Sequence, residues 1–318
     1  MDTRVSRRRV RAFARAVGAT HPAYYDPYDA GYFGYRDVIA PSLFAYTLSQ
    51  PFLDDVFSAT PRHPARSRQA ESQDLVNGYV NPNALVILHG LHMQLNCPIV
   101  AGQLLSVEFN KSIRKAADWS VVTCETRVSD SAAALVSIKA TYGIARGLKD
   151  PAISRSAGKP PKREPQDDEG GVVSRRDAAS PQPTGPQDDG DGVVSRRDSD
   201  DGGGDFRADI AITQSDVSDF CAASGDLNPI HLDAKAAQAV GLPDIISPGI
   251  LLLGKALSDI ESYENLILPK TIQARFLSPI VVPQNGARIA TDICKSENKT
   301  ELSFAQNGAR LARATLSF

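Results

Sequence analysis

Apolar residues fall at helical spacing near the start of the chain: Val10, Phe13, Ala14 and Val17 share one face, and Gly18 follows where a C-terminal cap belongs. Pro22 and Pro27 then break the chain into turns, and Ile39-Ala-Pro41 opens a second apolar stretch, Ser42 to Leu53. Proline suits the first helical position because its missing N–H has no partner there, so this stretch is predicted as a buried helix. From Asp54 to Asn83 the chain is polar and rich in Arg and Pro, as an excursion over the surface would be. Beyond it, Leu85 to Leu88, Leu104 to Phe109, Trp119 to Val128 and Leu135 to Tyr142 read as strands separated by polar turns. Helix first and antiparallel strands afterwards predicts an α+β unit, not alternating βαβ.

The C-terminal part repeats this order. Ser215 is placed to cap a helix carrying Val217, Phe220 and Cys221, with Gly225 ending it. Ser247 is placed to cap a second helix, with Pro248 at its first position and Ile250 to Leu257 as its apolar body. Strands are predicted at Thr271 to Phe276, Arg288 to Lys295, Leu302 to Gln306 and Arg310 to Phe318, with Asn307-Gly308 as a hairpin turn. A shift of 207 residues, without a gap, lays Val10, Phe13, Ala16, Gly18, Pro22, Asp26, Ala30, Gly34, Asp37, Ile39 and Pro41 on identical residues, from Val217 to Pro248. Those are eleven identities over thirty-two positions, where composition alone gives roughly two. The chain is a duplication, and two copies are too few for a solenoid, so two similar packed domains are expected.

Between the copies, Asp150 to Gly204 has no aromatic residue and duplicates itself: Pro165-Gln-Asp-Asp recurs at Pro186, and Gly171-Val-Val-Ser-Arg-Arg-Asp177 at Gly192. Such a stretch cannot bury enough apolar surface to offset its ordering entropy, and it reads as a disordered tether more than a docking motif. The expected division is residues 1–149, a linker at 150–204, and a second unit at 205–318.

With 318 residues and 42% hydrophobic content, the chain has room for a sizeable core. A net charge of -2 gives no global pull toward nucleic acid or an anionic membrane, so the expected partners are small molecules or protein. Cys97, Cys124, Cys221 and Cys294 form no C-x-x-C pair, which argues against a zinc site and against a secreted disulfide framework. No apolar run approaches the ~20 residues that span a bilayer. The arginines from Arg4 to Arg15 mimic a transit peptide, yet the repeat needs the chain from Val10 onward inside the fold. The expected compartment is the cytoplasm, with an organelle left open by that basic N-terminus.

Chemistry concentrates in Phe220-Cys-Ala-Ala-Ser-Gly-Asp-Leu-Asn-Pro-Ile-His-Leu-Asp233 and in Ile246-Ser-Pro-Gly-Ile250. A short turn can aim the Asp226 carboxylate and the His231 ring at one water. Because Pro248 lacks an N–H, the first free donor of the following helix belongs to Gly249, at the positive end of the dipole, where a carbonyl can approach closely. Each feature also has a plain reading: an Asp after a helix-ending glycine satisfies turns, a lone His is commonly structural, and Ser-Pro-Gly is an ordinary helix start. The repeat bears on this choice. The matching positions of the first unit hold Ala19, His21 and Tyr24, so the turn geometry itself does not require Asp226 or His231. A metal site on Asp226, His231 and Asp233 is a thin ligand set, and His89-Gly-Leu-His92 suits a strand edge or turn.

With these residues in view, the second unit resembles the MaoC-like family, the R-specific enoyl-CoA hydratases of the hydratase 2 type. Ser224, Gly225, Asp226, Asn228, Pro229, Ile230, His231, Asp233, Gly241, Ile246 and Gly249 match its signature. Pro248 stands where the family has a His. The resemblance implies a double hotdog, with antiparallel sheets each wrapping a central helix, and a first unit that keeps only the scaffold. It further implies Asp226 and His231 as the acid/base pair, Gly249 N–H as the donor to the thioester carbonyl, and Asn228 as the residue ordering the turn. The implied reaction is water addition to a trans-2-enoyl-CoA or acyl-carrier thioester, giving an R-3-hydroxyacyl thioester, or the reverse, without cofactor or metal. A second class stays open, a non-catalytic subunit that binds an acyl thioester or an active partner, motivated by Pro248 and the eroded first unit; a hotdog thioesterase is disfavoured by Asn228-Pro-Ile-His231. A homodimer is also left open, since two fused units already supply one pairing.

Overall fold

The computed structural model describes residues 1–57, 85–115, 119–145, 206–263 and 266–318. The predicted linker and the bulk of the polar excursion, from residue 58, lie outside them. In the first unit the elements are β1 (Asp2–Arg4), α1 (Arg7–Ala16), α2 (Pro27–Tyr32), a 3-10 turn at Ser42–Leu48, α3 (Gln50–Phe57), β2 (Leu85–Leu95), β3 (Leu104–Lys115), β4 (Trp119–Ser129) and β5 (Ala134–Ala145). The second unit comprises β6 (Phe206–Ile212), α4 (Gln214–Ser224), α5 (Pro229–Leu232), α6 (Ala234–Ala239), β7 (Ile246–Ser247), α7 (Gly249–Tyr263), β8 (Thr271–Phe276), β9 (Ile280–Val281), β10 (Ala287–Ser296), β11 (Lys299–Gln306) and β12 (Ala309–Ser317). No helix among the described residues is long and apolar enough to cross a membrane.

Ten strands form one antiparallel sheet in the order β1-β3-β4-β5-β2-β8-β12-β11-β10-β6. Read outward from the middle, β2-β5-β4-β3-β1 on one side has the same connectivity as β8-β12-β11-β10-β6 on the other. The duplication seen in the sequence is thus a topological one, and β2 and β8 join the halves in register from Gly90↔Arg275 to Gln94↔Thr271. Both units are hotdogs sharing one sheet, an α+β double hotdog. Matching residues of the two copies meet at the pseudo-twofold: the rings of Phe13 and Phe220, offset partners in the repeat, lie 5.9 Å apart. The repeated glycines Gly18 and Gly225, at φ 71° and 81°, end α1 and α4 in the left-handed conformation that disfavours a Cβ.

Several local expectations change. Thr213, not Ser215, caps α4, exchanging hydrogen bonds with Asp216 in a capping box. Ser247 does not cap α7; its hydroxyl donates to the Pro248 carbonyl, and the helix begins at Gly249, one residue later than predicted. The buried Ser42–Leu53 stretch is not one helix but a 3-10 segment followed by α3. Pairing across a wide sheet extends β2 and β3 well past the apolar runs that announced them, to Leu95 and Lys115. Asn307 and Gly308, at φ 51° and 77°, make the hairpin as predicted.

Candidate active site

Asp226 and His231 meet where α4 hands over to α5. Gly225 turns the chain out of α4, and Asp226 Oδ1 accepts from the Asn228 N–H at 3.3 Å. Asn228 then caps α5, its Oδ1 accepting from the Ile230 N–H at 3.4 Å, with Pro229 at the first helical position. This chain of local caps leaves Asp226 Oδ2 facing His231 Nε2 at 3.8 Å. The imidazole is held from behind: its Nδ1 lies 2.7 Å from the Ile246 carbonyl oxygen. A carbonyl can only accept, so Nδ1 carries a proton, and of the two neutral tautomers this contact selects the one whose lone pair is at Nε2.

At 3.8 Å the carboxylate and the ring do not bond directly. One water with arms of about 2.8 Å spans both. The side chains of His231 and Asp226 are 10% and 20% exposed, so the pair is shielded but reachable. Ile246 also ties the third element in place, since Ser247, Pro248 and Gly249 follow directly. Gly249 is the first residue of α7 and its N–H has no intrahelical acceptor. A Cβ there would lie 2.5 Å from Cε1 of Phe276, whose ring covers the Gly249 Cα. Asp233 points to other work: it caps α6 by accepting from the Lys235 N–H at 2.8 Å.

The first unit supplies residues that the motif did not announce. Tyr46 Oη and Tyr142 Oη are hydrogen-bonded at 2.7 Å in the interior. Burial, then the nearby Asp226 carboxylate, pushes the Tyr46 phenol above its ordinary value; burial and Tyr46 do the same for Tyr142, with Asp226 adding to it. Gln50 is 5% exposed, lies against Gly225 and turns its side chain toward the Tyr46 phenol. Cys221, held up at about 12 by burial and by Asp226, stays a neutral thiol. The site is therefore composite, and the first unit is more than scaffold. Of the predicted residues, Asp226, His231 and Asn228 are brought together, and Gly249 is linked to them through Ile246. Two cavities, one lined by Pro41, Leu95 and Lys270 and one on the face of β2, β8 and β12, lie elsewhere, and neither touches the dyad.

At the repeat-matched place of the first unit, Tyr24 stands for His231 and Ser42 for Gly249. Tyr24 Oη donates to Glu261 Oε2 of α7 at 2.5 Å, and the Ser42 backbone N–H also reaches this carboxyl. The donor that matches Gly249 is thus spent on an internal carboxyl. No acid–imidazole pair exists there.

These features define a double hotdog, two fused units on one sheet, that carries an acid–imidazole dyad in its second unit. The comparisons agree. Residues 201–307 match the MaoC like domain, and residues 1–133 match the FAS1-like, dehydratase domain region. The chain carries both, one in each unit. A structure described as a MaoC-like dehydratase aligns at a TM-score of 0.69, with 22% identity over 99% of this chain and 94% of that one. HtdX of Mycobacterium tuberculosis aligns at 0.61, with 18% identity over 99% and 97%. A further M. tuberculosis protein, described as a double hotdog, aligns at 0.55 with 11% identity over 100% and 93%. At such identities these show the fold. Closer in sequence but short, a UPF0336 protein of Clavibacter michiganensis is 57% identical over 44 residues, 14% of this chain. A UPF0336 protein of Streptomyces griseus is 49% identical over 45 residues, and in both cases the match spans 30% of the relative's length.

Proposed function

We propose that the chain adds water across the 2,3 double bond of a trans-2-enoyl thioester to give an R-3-hydroxyacyl thioester, or removes water in reverse. The observation that carries this reading is the tautomer lock: the Ile246 carbonyl fixes the proton on His231 Nδ1, so Nε2 faces Asp226 as an acceptor. In the hydration direction, a water held between Nε2 and Asp226 Oδ2 gives one proton to the dyad as its oxygen attacks C3. Electron density moves onto the thioester oxygen, where the Gly249 N–H and the α7 dipole stabilise it. The dyad then returns a proton to C2, so the double bond is consumed and water is the only group added. The MaoC-like domain in this unit supports hydro-lyase chemistry; thioester carrier and acyl length belong to the proposal's tests.

Loss of the ultraviolet absorption of a conjugated enoyl thioester measures the reaction. Asp226→Asn and His231→Gln should each slow it by roughly 10²–10⁴, the usual worth of acid–base assistance, with unchanged circular dichroism. Full activity in either variant removes that residue from the mechanism. Thioester binding without hydration in the unaltered chain would instead favour a binding subunit, and release of free thiol a thioesterase.

A further inference from the structure

On the solvent face of the sheet, away from the helices, a trough of about 820 Å³ straddles the seam between the units. Its centre breaks a rule of sheet pairing. Arg275 of β8 and Arg313 of β12 stand directly opposite each other, both exposed, and like charges in that relation destabilise a ladder. A β-bulge brings a third guanidinium to them. The register of β11 with β12 shifts so that Ala312 pairs with Phe304 but Arg310 with Ala305, leaving Leu311 as the extra residue. Without that bulge, Arg310 and Arg313, three apart, would alternate to opposite faces.

On the other side of Arg275 the ladder places Gly90, beside a second bulge in β2 between Leu88 and Gly90. Nothing in the backbone asks for glycine there. Its φ is not positive, and a Cβ would lie 3.8 Å from Ala274 O and 4.0 Å from Thr141 Cβ, ordinary contacts. What glycine leaves is open floor next to the arginine pair. The two carboxylates on the trough's rim are engaged at its edge, Asp292 with Arg207 and Glu301 with Lys299. Among the described residues Arg275, Arg310 and Arg313 make no ion pair. The row next to the arginine pair runs Lys139, His92, Gln273, Thr315 and Glu301; its two charged ends are paired with Glu125 and Lys299, and it adds no guanidinium, so the unpaired positive charge is compact.

We propose that this trough binds a phosphate-bearing small molecule, with Arg275 and Arg313 forking onto its oxygens and Arg310 completing the cluster. Guanidinium forks match phosphate oxygens pairwise, and a multiply charged anion offsets the repulsion that the bare pair carries. The compact charge suits a small anion better than an extended acidic protein surface, and a second copy would bring the same cations face to face. The site is separate from the Asp226–His231 dyad and does not depend on the hydratase reading.

Thermal unfolding of the full chain in sodium diphosphate, against sodium chloride at matched ionic strength, is the test. Diphosphate should raise the midpoint selectively, and Arg275→Gln or Arg313→Gln should weaken its binding by roughly tenfold or more, the loss of a charge-assisted pair. Without added anion, Arg313→Thr should unfold at a higher temperature than the unaltered chain, because the like-charge pair is gone. Gly90→Val should weaken binding with every charge retained. Adenosine diphosphate acting more strongly than diphosphate assigns the ligand to nucleotides; equal action assigns it to the phosphate group alone. Equal response to diphosphate and chloride, binding unchanged in both arginine variants, or stabilisation by polyglutamate without a response to diphosphate would each overturn the proposal.

Discussion

Tyr24 holds in the first unit the place that His231 holds in the second, and the consequence is a buried carboxyl instead of a reactive pair. Glu261 is 1% exposed, and burial holds its carboxyl above the usual range despite donors from Tyr24 and Ser42. A carboxyl raised on folding binds its proton more tightly in the folded chain. Its contribution to stability is therefore complete below the unfolded value and is lost as pH rises through the folded one. Glu261→Gln should accordingly flatten the decline of the unfolding temperature between acidic and neutral pH; an identical pH profile would show that Glu261 is not the group responsible. At this scale Asp226, Asn228 and His231 were legible because a local run of caps fixes their geometry. Tyr46, Tyr142 and Gln50 were not, because they reach Asp226 from the other unit, more than 80 residues away along the chain.

Among the elements, α7 is the one on which both units depend. Its Gly254 lies against Val17, where a Cβ would stand 2.7 Å from Val17 Cγ1. Alanine normally favours a helix over glycine by roughly 1 kcal/mol, whereas overpacking a core typically costs 1–3 kcal/mol. The close approach should win, so Gly254→Ala lowers stability in denaturant titration, and adding Val17→Ala restores part of it. A stabilised single variant would refute the tight crossing. The positions of α1, α4 and α7 and the Asn307-Gly308 turn were readable from period and turn chemistry. Strand lengths, the cap at Thr213 and the absence of one at Ser247 were not, because hydrogen bonding to neighbours, and not the run's own polarity, decides where each element ends.

For the whole molecule, the continuous sheet makes the β2–β8 seam the joint between units, backed by the Phe13–Phe220 contact. A protease site introduced between residues 150 and 204, once cut, should leave two fragments that co-elute, because the two units are joined by the seam; the hydration proposed above should then survive the cut. Separation of the fragments on size exclusion would place that burden on the intervening segment.

The sequence by itself determined the duplication, the α+β character of each copy and the dyad's residues, because periodicity, turn glycines and local caps act over a few residues. Only the tertiary structure decided that the two copies share one sheet, that the first unit walls the second unit's site, and that three arginines from β8 and β12 meet on one face. Those outcomes come from strand register and from two bulges, and register is set by partners distant in the chain, which no local pattern encodes.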